Sequence, residues 1–184
     1  MANKQSLRDL QTRLAERMQQ VRTEQPGVSW LAVDCAGQGL LFALRQAGEI
    51  FKLGNVLPVP HTQPWLAGVV NLRGGVCTVV DLAAFLGLRS AERPVSPQQC
   101  RLVGFNNALQ VNGALLVDRL EGLRHAVDLK VEAESNDNGA AEEGAQGARP
   151  AFALARWRDD AGRVWQEIDL AELARMPQFL AVTG

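Results

Sequence analysis

Arg73 occupies the most informative stretch of the chain, Gly68–Leu82, which reads G-V-V-N-L-R-G-G-V-C-T-V-V-D-L. Two apolar runs flank a short polar turn that contains Asn71, Arg73 and two glycines, a pattern that predicts a buried β-hairpin with the arginine at its tip. The planar guanidinium of a displayed arginine donates directional hydrogen bonds to the carboxylates or carbonyls of a partner. Because the segment holds no nucleophile paired with a base, it indicates a binding module rather than an enzyme.

Two aspartates have the chemistry for a catalytic pair. Asp81 and Asp118 each follow an apolar run, in V-V-D-L and L-V-D-R, and paired carboxylates can serve as general acid and base. An aspartate at the end of a strand more often caps the following turn or helix by accepting hydrogen bonds from backbone N–H groups. We favour the structural role, and an enzyme that uses either aspartate stays open as an alternative.

Cysteine and histidine are sparse in this chain. Cys35, Cys77 and Cys100 are widely spaced among apolar residues, which favours small buried side chains in a reducing compartment over a disulfide. His61 and His125 each stand alone, and the sequence contains no C-x-x-C or H-x-x-x-H pair. Zinc ligands usually come in such pairs. The sequence therefore implies no metal and no cofactor.

Composition and charge exclude several classes of partner. The chain has 184 residues, 47% of them hydrophobic and 21% charged, and its net charge is −1. A protein that binds nucleic acid usually carries a basic patch, and this chain has no such excess. Its apolar runs are much shorter than the ~20 residues that span a bilayer, and Met1–Gln5 lacks the apolar core of a signal peptide. We expect a cytoplasmic protein that neither binds nucleic acid nor inserts into membranes.

Residues 1–27 are expected to form an amphipathic helix and a linker. Ser6 and Asp9 are typical of a helix N-terminus, and Pro26 with Gly27 ends the pattern. One face of the helix carries an apolar stripe of Leu7, Leu10, Leu14, Met18 and Val21. Such a stripe can pack on its own domain or pair with a helix of another protein, and both possibilities remain open.

From residue 28 onward the pattern changes to short strands separated by turn residues. This pattern predicts a mainly β barrel or pair of barrels, with small helices at the joints. A polar connection, Arg89–Gln99, is expected to separate a second group of strands from the first. Glu132–Arg149 has no apolar side chain larger than alanine, so we expect a mobile, solvated insertion there. The predicted hairpins are Trp30–Leu44, Val69–Val80, Arg101–Asp118 and Phe152–Ile168.

Several of these motifs together resemble the CheW family of chemotaxis coupling proteins. The strongest are N-L-R-G at residues 71–74 and V-V-D-L at residues 79–82. The resemblance covers residues 28–180 in the family's order. The further segments that carry it are Trp30–Leu44, Gly48-Glu49-Ile50, Pro64–Gly68 and Gly113–Gly122.

The resemblance implies a fold and a function. The fold is two small five-stranded SH3-like barrels packed together. The function is that of a non-catalytic adaptor, without a cofactor, that joins the cytoplasmic tip of a methyl-accepting chemoreceptor to the regulatory domain of a CheA-type histidine kinase. The closing segment and the added N-terminal helix are similar to the branch of the family that controls type IV pili and twitching motility. The alternative is a small β-barrel that binds a ligand or nucleic acid.

Site residues are implied by position within the family's motifs. Asn71 and Arg73 would face the receptor, and Glu49 would pair with Arg73 and orient it. Gly68 and Gly74 would be backbone positions that a side chain could block. The apolar strand residues Val33, Leu41 and Phe42 are the candidates for the kinase-facing edge.

Two positions depart from the family pattern. Thr78 stands where a proline is usual, which gives the return strand an additional backbone donor and is expected to leave its edge less protected from pairing. Ala47 replaces a bulkier residue, so we expect a less apolar contact surface there.

Overall fold

The computed structural model describes residues 28–89, 98–132 and 150–181. The predicted N-terminal helix and residues 133–149 of the predicted insertion lie outside the described residues. The strands are β1 Ser29–Cys35, β2 Gln38–Ala43, β3 Ala47–Lys52, β4 Leu66–Leu72, β5 Gly75–Asp81, β6 Arg101–Phe105, β7 Gly113–Val117, β8 Arg119–His125, β9 Leu129–Val131, β10 Ala153–Asp159 and β11 Val164–Ile168. The helices are α1 Leu82–Phe85, α2 Leu170–Arg175 and α3 Pro177–Leu180.

These strands form two sheets, which we call the terminal lobe and the central lobe. The terminal lobe has six strands in the order β8-β1-β2-β11-β10-β9, and the central lobe has five in the order β3-β6-β7-β5-β4. The expected mainly β fold with two lobes and short joint helices is confirmed. The terminal lobe has one strand more than expected, because the short β9 pairs with β10.

The two lobes do not follow one another along the chain. The polar connection does not separate two groups of strands, because β6 and β7 join the same sheet as β3, β4 and β5. Within the terminal lobe, β2 pairs in parallel with β11, and Gly39 lies opposite Trp165 in this pairing. Sequence patterns predict neighbouring hairpins, but they do not reveal which distant strands pair.

Apolar side chains pack in three clusters. One cluster belongs to the terminal lobe and includes Trp30, Leu41 and Trp165. A second belongs to the central lobe and includes Val79 and Leu102. The largest cluster takes residues from both sheets and from the helices, so it lies between the lobes. Because side chains alternate along a strand, β1 and β2 supply one face to their own lobe and the other face to this interlobe core.

Candidate partner-binding site

The hairpin of β4 and β5 ends in a tight two-residue turn formed by Arg73 and Gly74. Both residues have positive φ, at 52° and 85°, as a type I′ turn requires. Leu72 and Gly75 pair directly below the turn, and the Asn71 side-chain oxygen accepts a hydrogen bond from the Gly74 N–H at 2.9 Å. The sequence N-L-R-G-G therefore folds into a turn that presents Arg73 at the tip of the hairpin.

Arg73 occupies a backbone conformation that does not favour arginine. Type I′ turns prefer asparagine, aspartate or glycine at both central positions, and a residue with a Cβ in the left-handed region costs about 1 kcal/mol. Local exceptions of this kind concentrate at functional sites. The positive φ of Arg73 could not be deduced from the apolar runs that predicted the hairpin.

Arg73 forms an ion pair with Glu49 of β3, as the resemblance implied. The two side chains remain 74% and 49% exposed, and a pair this exposed contributes about 0–1 kcal/mol to stability. Its main effect is to hold the guanidinium in one orientation. β3 and β4 are the outer strands of the central lobe, so the ion pair also shows that the curved sheet brings its two edges near each other.

A shallow concavity of about 600 Å³ lies beside this ion pair, and we call it the Arg73 surface. It combines the two charges with apolar groups, among them Ile50, which is 42% exposed. Arginine beside apolar side chains is a frequent composition at the centres of protein interfaces. The residues that line it are Glu49, Ile50, Phe51, Lys52, Gly54, Asn55, Val70, Asn71, Leu72 and Arg73.

The two predicted glycine positions differ in what a side chain would meet. A Cβ on Gly68 would lie 2.2 Å from the carbonyl oxygen of Leu57, and its φ is +137°. A Cβ on Gly74 would meet nothing within 4 Å, so only its φ of +85° disfavours a side chain. The expectation of a blocked position thus applies to Gly68, whereas Gly74 serves the conformation of the turn.

Three predicted contact residues lie inside the protein. Val33, Leu41 and Phe42 are each 0% exposed, because strands β1 and β2 are covered on both faces. Their side chains have no surface for a partner in this conformation, so the prediction that they form a kinase-facing edge was wrong. Apolar side chains that are exposed on the terminal lobe include Leu123, Val127 and Val131, at 52%, 90% and 63%.

The two departures from the family pattern, at Thr78 and Ala47, have little effect on the surface of the protein. Strand β5 lies between β4 and β7, and the Thr78 N–H and hydroxyl each donate to the carbonyl oxygen of Asn112 at 3.1 Å. The expectation of a less protected edge was therefore wrong. Ala47 is only 8% exposed, so its small size affects packing rather than a contact surface.

Asp81 and Asp118 do come together, but they share a buried arginine. Arg89 Nη2 lies 2.8 Å from Asp81 Oδ1, and Arg89 Nη1 lies 2.5 Å from Asp118 Oδ1. Burial opposes the charge on Arg89, yet its hydrogen bonds to both carboxylates raise its pKa above the ordinary value. Asp81 also caps α1 through the Ala84 N–H at 3.1 Å, and Asp118 accepts from the Ala36 N–H at 2.7 Å. The predicted capping of the following helix is confirmed for Asp81, whereas Asp118 binds the turn between β1 and β2.

Arg89 itself was missed because its sequence surroundings are those of a polar connection. Its side chain is 7% exposed, and it links the end of β5 to the junction between β7 and β8. The one available signal for Arg89 was a charged residue a few positions after an apolar helix, and that signal is weak.

The cysteines do not form a reactive or metal-binding centre. None of the three cysteines forms a disulfide, and Cys35 and Cys100 are buried whereas Cys77 is partly buried. Burial raises the pKa of the Cys35 thiol far above its usual range, which keeps it protonated and unreactive. In the described part of the chain, no group of three or more histidine, cysteine, aspartate or glutamate residues is arranged to hold a metal ion.

No helix within residues 28–89, 98–132 and 150–181 has the length and apolar character to cross a membrane.

Comparison with known proteins identifies the family. The model of the CheW-like domain matches residues 29–178. The chain belongs to this family. As a CheW-like domain it resembles Protein PilI from Pseudomonas aeruginosa, with 29% identity over 53% of this chain and 53% of the relative. It also resembles Chemotaxis protein CheW from Thermotoga maritima, with 29% identity over 50% of this chain and 58% of the relative. The matches thus span little more than half the length of these relatives.

The fold of this CheW-like domain also matches a solved structure. The scaffolding protein TtCheW from Thermoanaerobacter tengcongensis superimposes with a TM-score of 0.64 over 84% of this chain and 93% of that chain, at 18% identity. At this identity the similarity concerns the fold. The family and the similarity to PilI that the N-L-R-G and closing segments predicted are confirmed.

Proposed function

We propose that this CheW-like domain is a non-catalytic cytoplasmic adaptor. It joins the tip of a methyl-accepting chemoreceptor to the regulatory domain of a CheA-type histidine kinase. By binding both proteins at once it raises their effective concentration, and a conformational change in the receptor then biases the activity of the kinase. Membership of the CheW-like family and the similarity to a scaffolding protein support this function.

The observation that carries the proposal is the conformation of Arg73. The residue is 74% exposed, paired with Glu49, and has a positive φ that disfavours arginine. A turn selected for stability alone would place asparagine or glycine there. We assign the Arg73 surface to the receptor, with Asn71 acting through the turn that it stabilises.

The second partner requires a second surface. Val127 is 90% exposed and Leu123 is 52% exposed, and both lie on the terminal lobe, whereas Arg73 lies on the central lobe. A partner that covers these side chains would gain free energy from burying their apolar surface. We assign them to the kinase, in place of the buried strand residues, because separate lobes allow both partners to bind at the same time.

The output of the pathway is part of the proposal. The similarity to PilI supports control of type IV pili and twitching motility.

Titration calorimetry of two single variants tests this assignment. The protein would be titrated with the receptor tip and, separately, with the regulatory domain of the kinase. Arg73→Ala is expected to weaken binding of the receptor tip at least tenfold, about 1.4 kcal/mol, and to leave binding of the kinase domain unchanged. Val127→Asp is expected to have the opposite selectivity, because a charge would be buried in an apolar contact.

A matched control comes from Arg175, which is also 74% exposed and also forms one ion pair, with Glu172. Arg175→Ala should bind both partners like the wild type. Wild-type protein that is folded and binds neither partner would contradict the proposed function. Equal losses in Arg73→Ala and Arg175→Ala would contradict the role of Arg73.

A further inference from the structure

A large cleft, lined by apolar side chains together with polar ones such as Glu132 and Arg156, opens between the two lobes, on the side of the protein that carries the helices. Its volume is about 1150 Å³. Trp65, Phe85, Leu86, Leu88 and Met176 line it and are only partly buried, although each packs against the interlobe core. These aromatic and aliphatic side chains extend the interlobe core to the protein surface. An apolar occupant is favoured because it would cover them.

Three segments of the chain outside the described residues are long enough to be considered as that occupant. Residues 133–149 connect Glu132 to Pro150, which both line the cleft, but they contain no apolar side chain larger than alanine. Residues 90–97 contain one valine and two prolines. Residues 1–27 differ from both, because they place five large apolar side chains on one face of a predicted helix.

The length of the N-terminal segment is sufficient to reach the cleft. Strand β1 has seven residues, so Val28 lies roughly 23 Å from the far end of the β1–β2 hairpin, where Gln38 lines the cleft. Residues 22–27, which follow the last apolar residue of the stripe, would span up to about 20 Å if fully extended. A helix over residues 7–21 would then cover about 22 Å more, which is enough to lie along the cleft.

We propose that the apolar stripe of the N-terminal helix, Leu7 to Val21, docks into the interlobe cleft of its own chain. Helices of this length are marginal in water on their own, and packing of the apolar face supplies the missing stability. The cleft supplies apolar side chains for that face. This inference goes beyond the proposed function and does not depend on either partner.

Fluorine NMR of the full-length protein labelled with fluorotryptophan tests the docking. The chain has four tryptophans, and Trp65 is the one that lines the cleft. Its resonance would be assigned with Trp65→Phe. The shift of that resonance between H2O and D2O measures its contact with solvent. Trp30 and Trp165 are 1% and 0% exposed, so their resonances report whether each variant is folded.

Two double variants add the same charge to opposite faces of the helix. Leu10→Glu with Leu14→Glu places both charges on the apolar stripe, whereas Thr12→Glu with Gln19→Glu places them on the polar face. We expect the solvent isotope shift of Trp65 to increase in the first variant and to stay at the wild-type value in the second. Equal Trp65 solvent isotope shifts in the wild type and in both double variants, with unchanged Trp30 and Trp165 resonances, would overturn the proposal.

A dilution series of the wild type separates docking within one chain from docking on a second copy. We expect the Trp65 shift to be independent of protein concentration. An increase of the solvent isotope shift on dilution would mean that the occupant comes from another molecule, and this would also overturn the proposal.

Discussion

At the scale of single residues, the side chains of the turn at the tip of β4 and β5 have opposite effects on its stability. The Asn71 side chain and Gly74 serve the turn, whereas Arg73 strains it. The ion pair with Glu49 is exposed and therefore contributes little free energy. The motif predicted the hairpin and its tip, because these depend on local residue types, whereas the pairing of Arg73 with Glu49 was implied by the resemblance to the CheW family. The strain at Arg73 depends on the turn type and became visible only in the structure.

Replacing Arg73 with asparagine is expected to stabilise the protein. Asparagine tolerates the left-handed region better than arginine does, so Arg73→Asn should raise the free energy of unfolding by about 0.5–1 kcal/mol. Urea denaturation followed by tryptophan fluorescence measures the change. A loss of more than about 1 kcal/mol would be inconsistent with this account and would indicate that Arg73 is a structural residue.

Alanine substitutions at Gly68 and Gly74 separate the effect of a steric clash at the Cβ from the effect of a positive backbone φ. Gly68→Ala would place a Cβ 2.2 Å from the Leu57 carbonyl oxygen, and we expect it to lower the free energy of unfolding by about 2–4 kcal/mol. Gly74→Ala meets no atom within 4 Å and should lose about 1 kcal/mol from its positive φ alone. Urea denaturation of both variants checks the order. Equal losses would argue against the close approach at Gly68.

At the scale of elements, Arg89 connects parts of the chain that are distant in sequence. It follows α1 and bridges the end of β5 to the residue between β7 and β8, through Asp81 and Asp118. The sequence predicted that each aspartate caps the next turn or helix, and this local prediction holds for Asp81 but not for Asp118, which accepts from the distant Ala36 N–H. It did not predict the shared arginine, because that contact forms only when β5 and β7 pair in parallel.

Removing Arg89 is expected to destabilise the protein strongly. Arg89→Ala would leave two carboxylates partly buried without their cation, and loss of one partner of a buried ion pair typically costs about 3–5 kcal/mol. Arg175→Ala, which removes an exposed pair, should cost less than about 1 kcal/mol. The two free energies of unfolding come from chemical denaturation. Similar small losses in both variants would mean that the Arg89 cluster does not hold the elements together.

At the scale of the whole molecule, alternating apolar residues predicted the mainly β class, the hairpins and the joint helices. They did not predict that the first and last strands share one lobe, since the parallel pairing of Gly39 with Trp165 links residues far apart in sequence. The same arrangement explains why Val33 and Phe42 are buried. A strand that lies between the interior of a lobe and the interlobe core is covered on both faces. The sequence pattern alone does not show whether an apolar residue of such a strand is buried or contacts a partner.

The resulting architecture suits an adaptor. The interlobe core fixes the two lobes relative to each other, and the Arg73 surface and the exposed Leu123 and Val127 lie on different lobes. Two partners bound to these surfaces would be held at a fixed separation. An adaptor of this kind must bind both partners at the same time, and binary titrations do not measure simultaneous binding.

Analytical ultracentrifugation of a three-component mixture measures simultaneous binding directly. The receptor tip and the regulatory domain of the kinase would be sedimented together, with and without this protein. We predict a species that contains all three components, that forms only when the protein is present and that Arg73→Ala reduces. Two binary complexes that exclude each other, with no ternary species at saturating concentrations, would contradict the adaptor function.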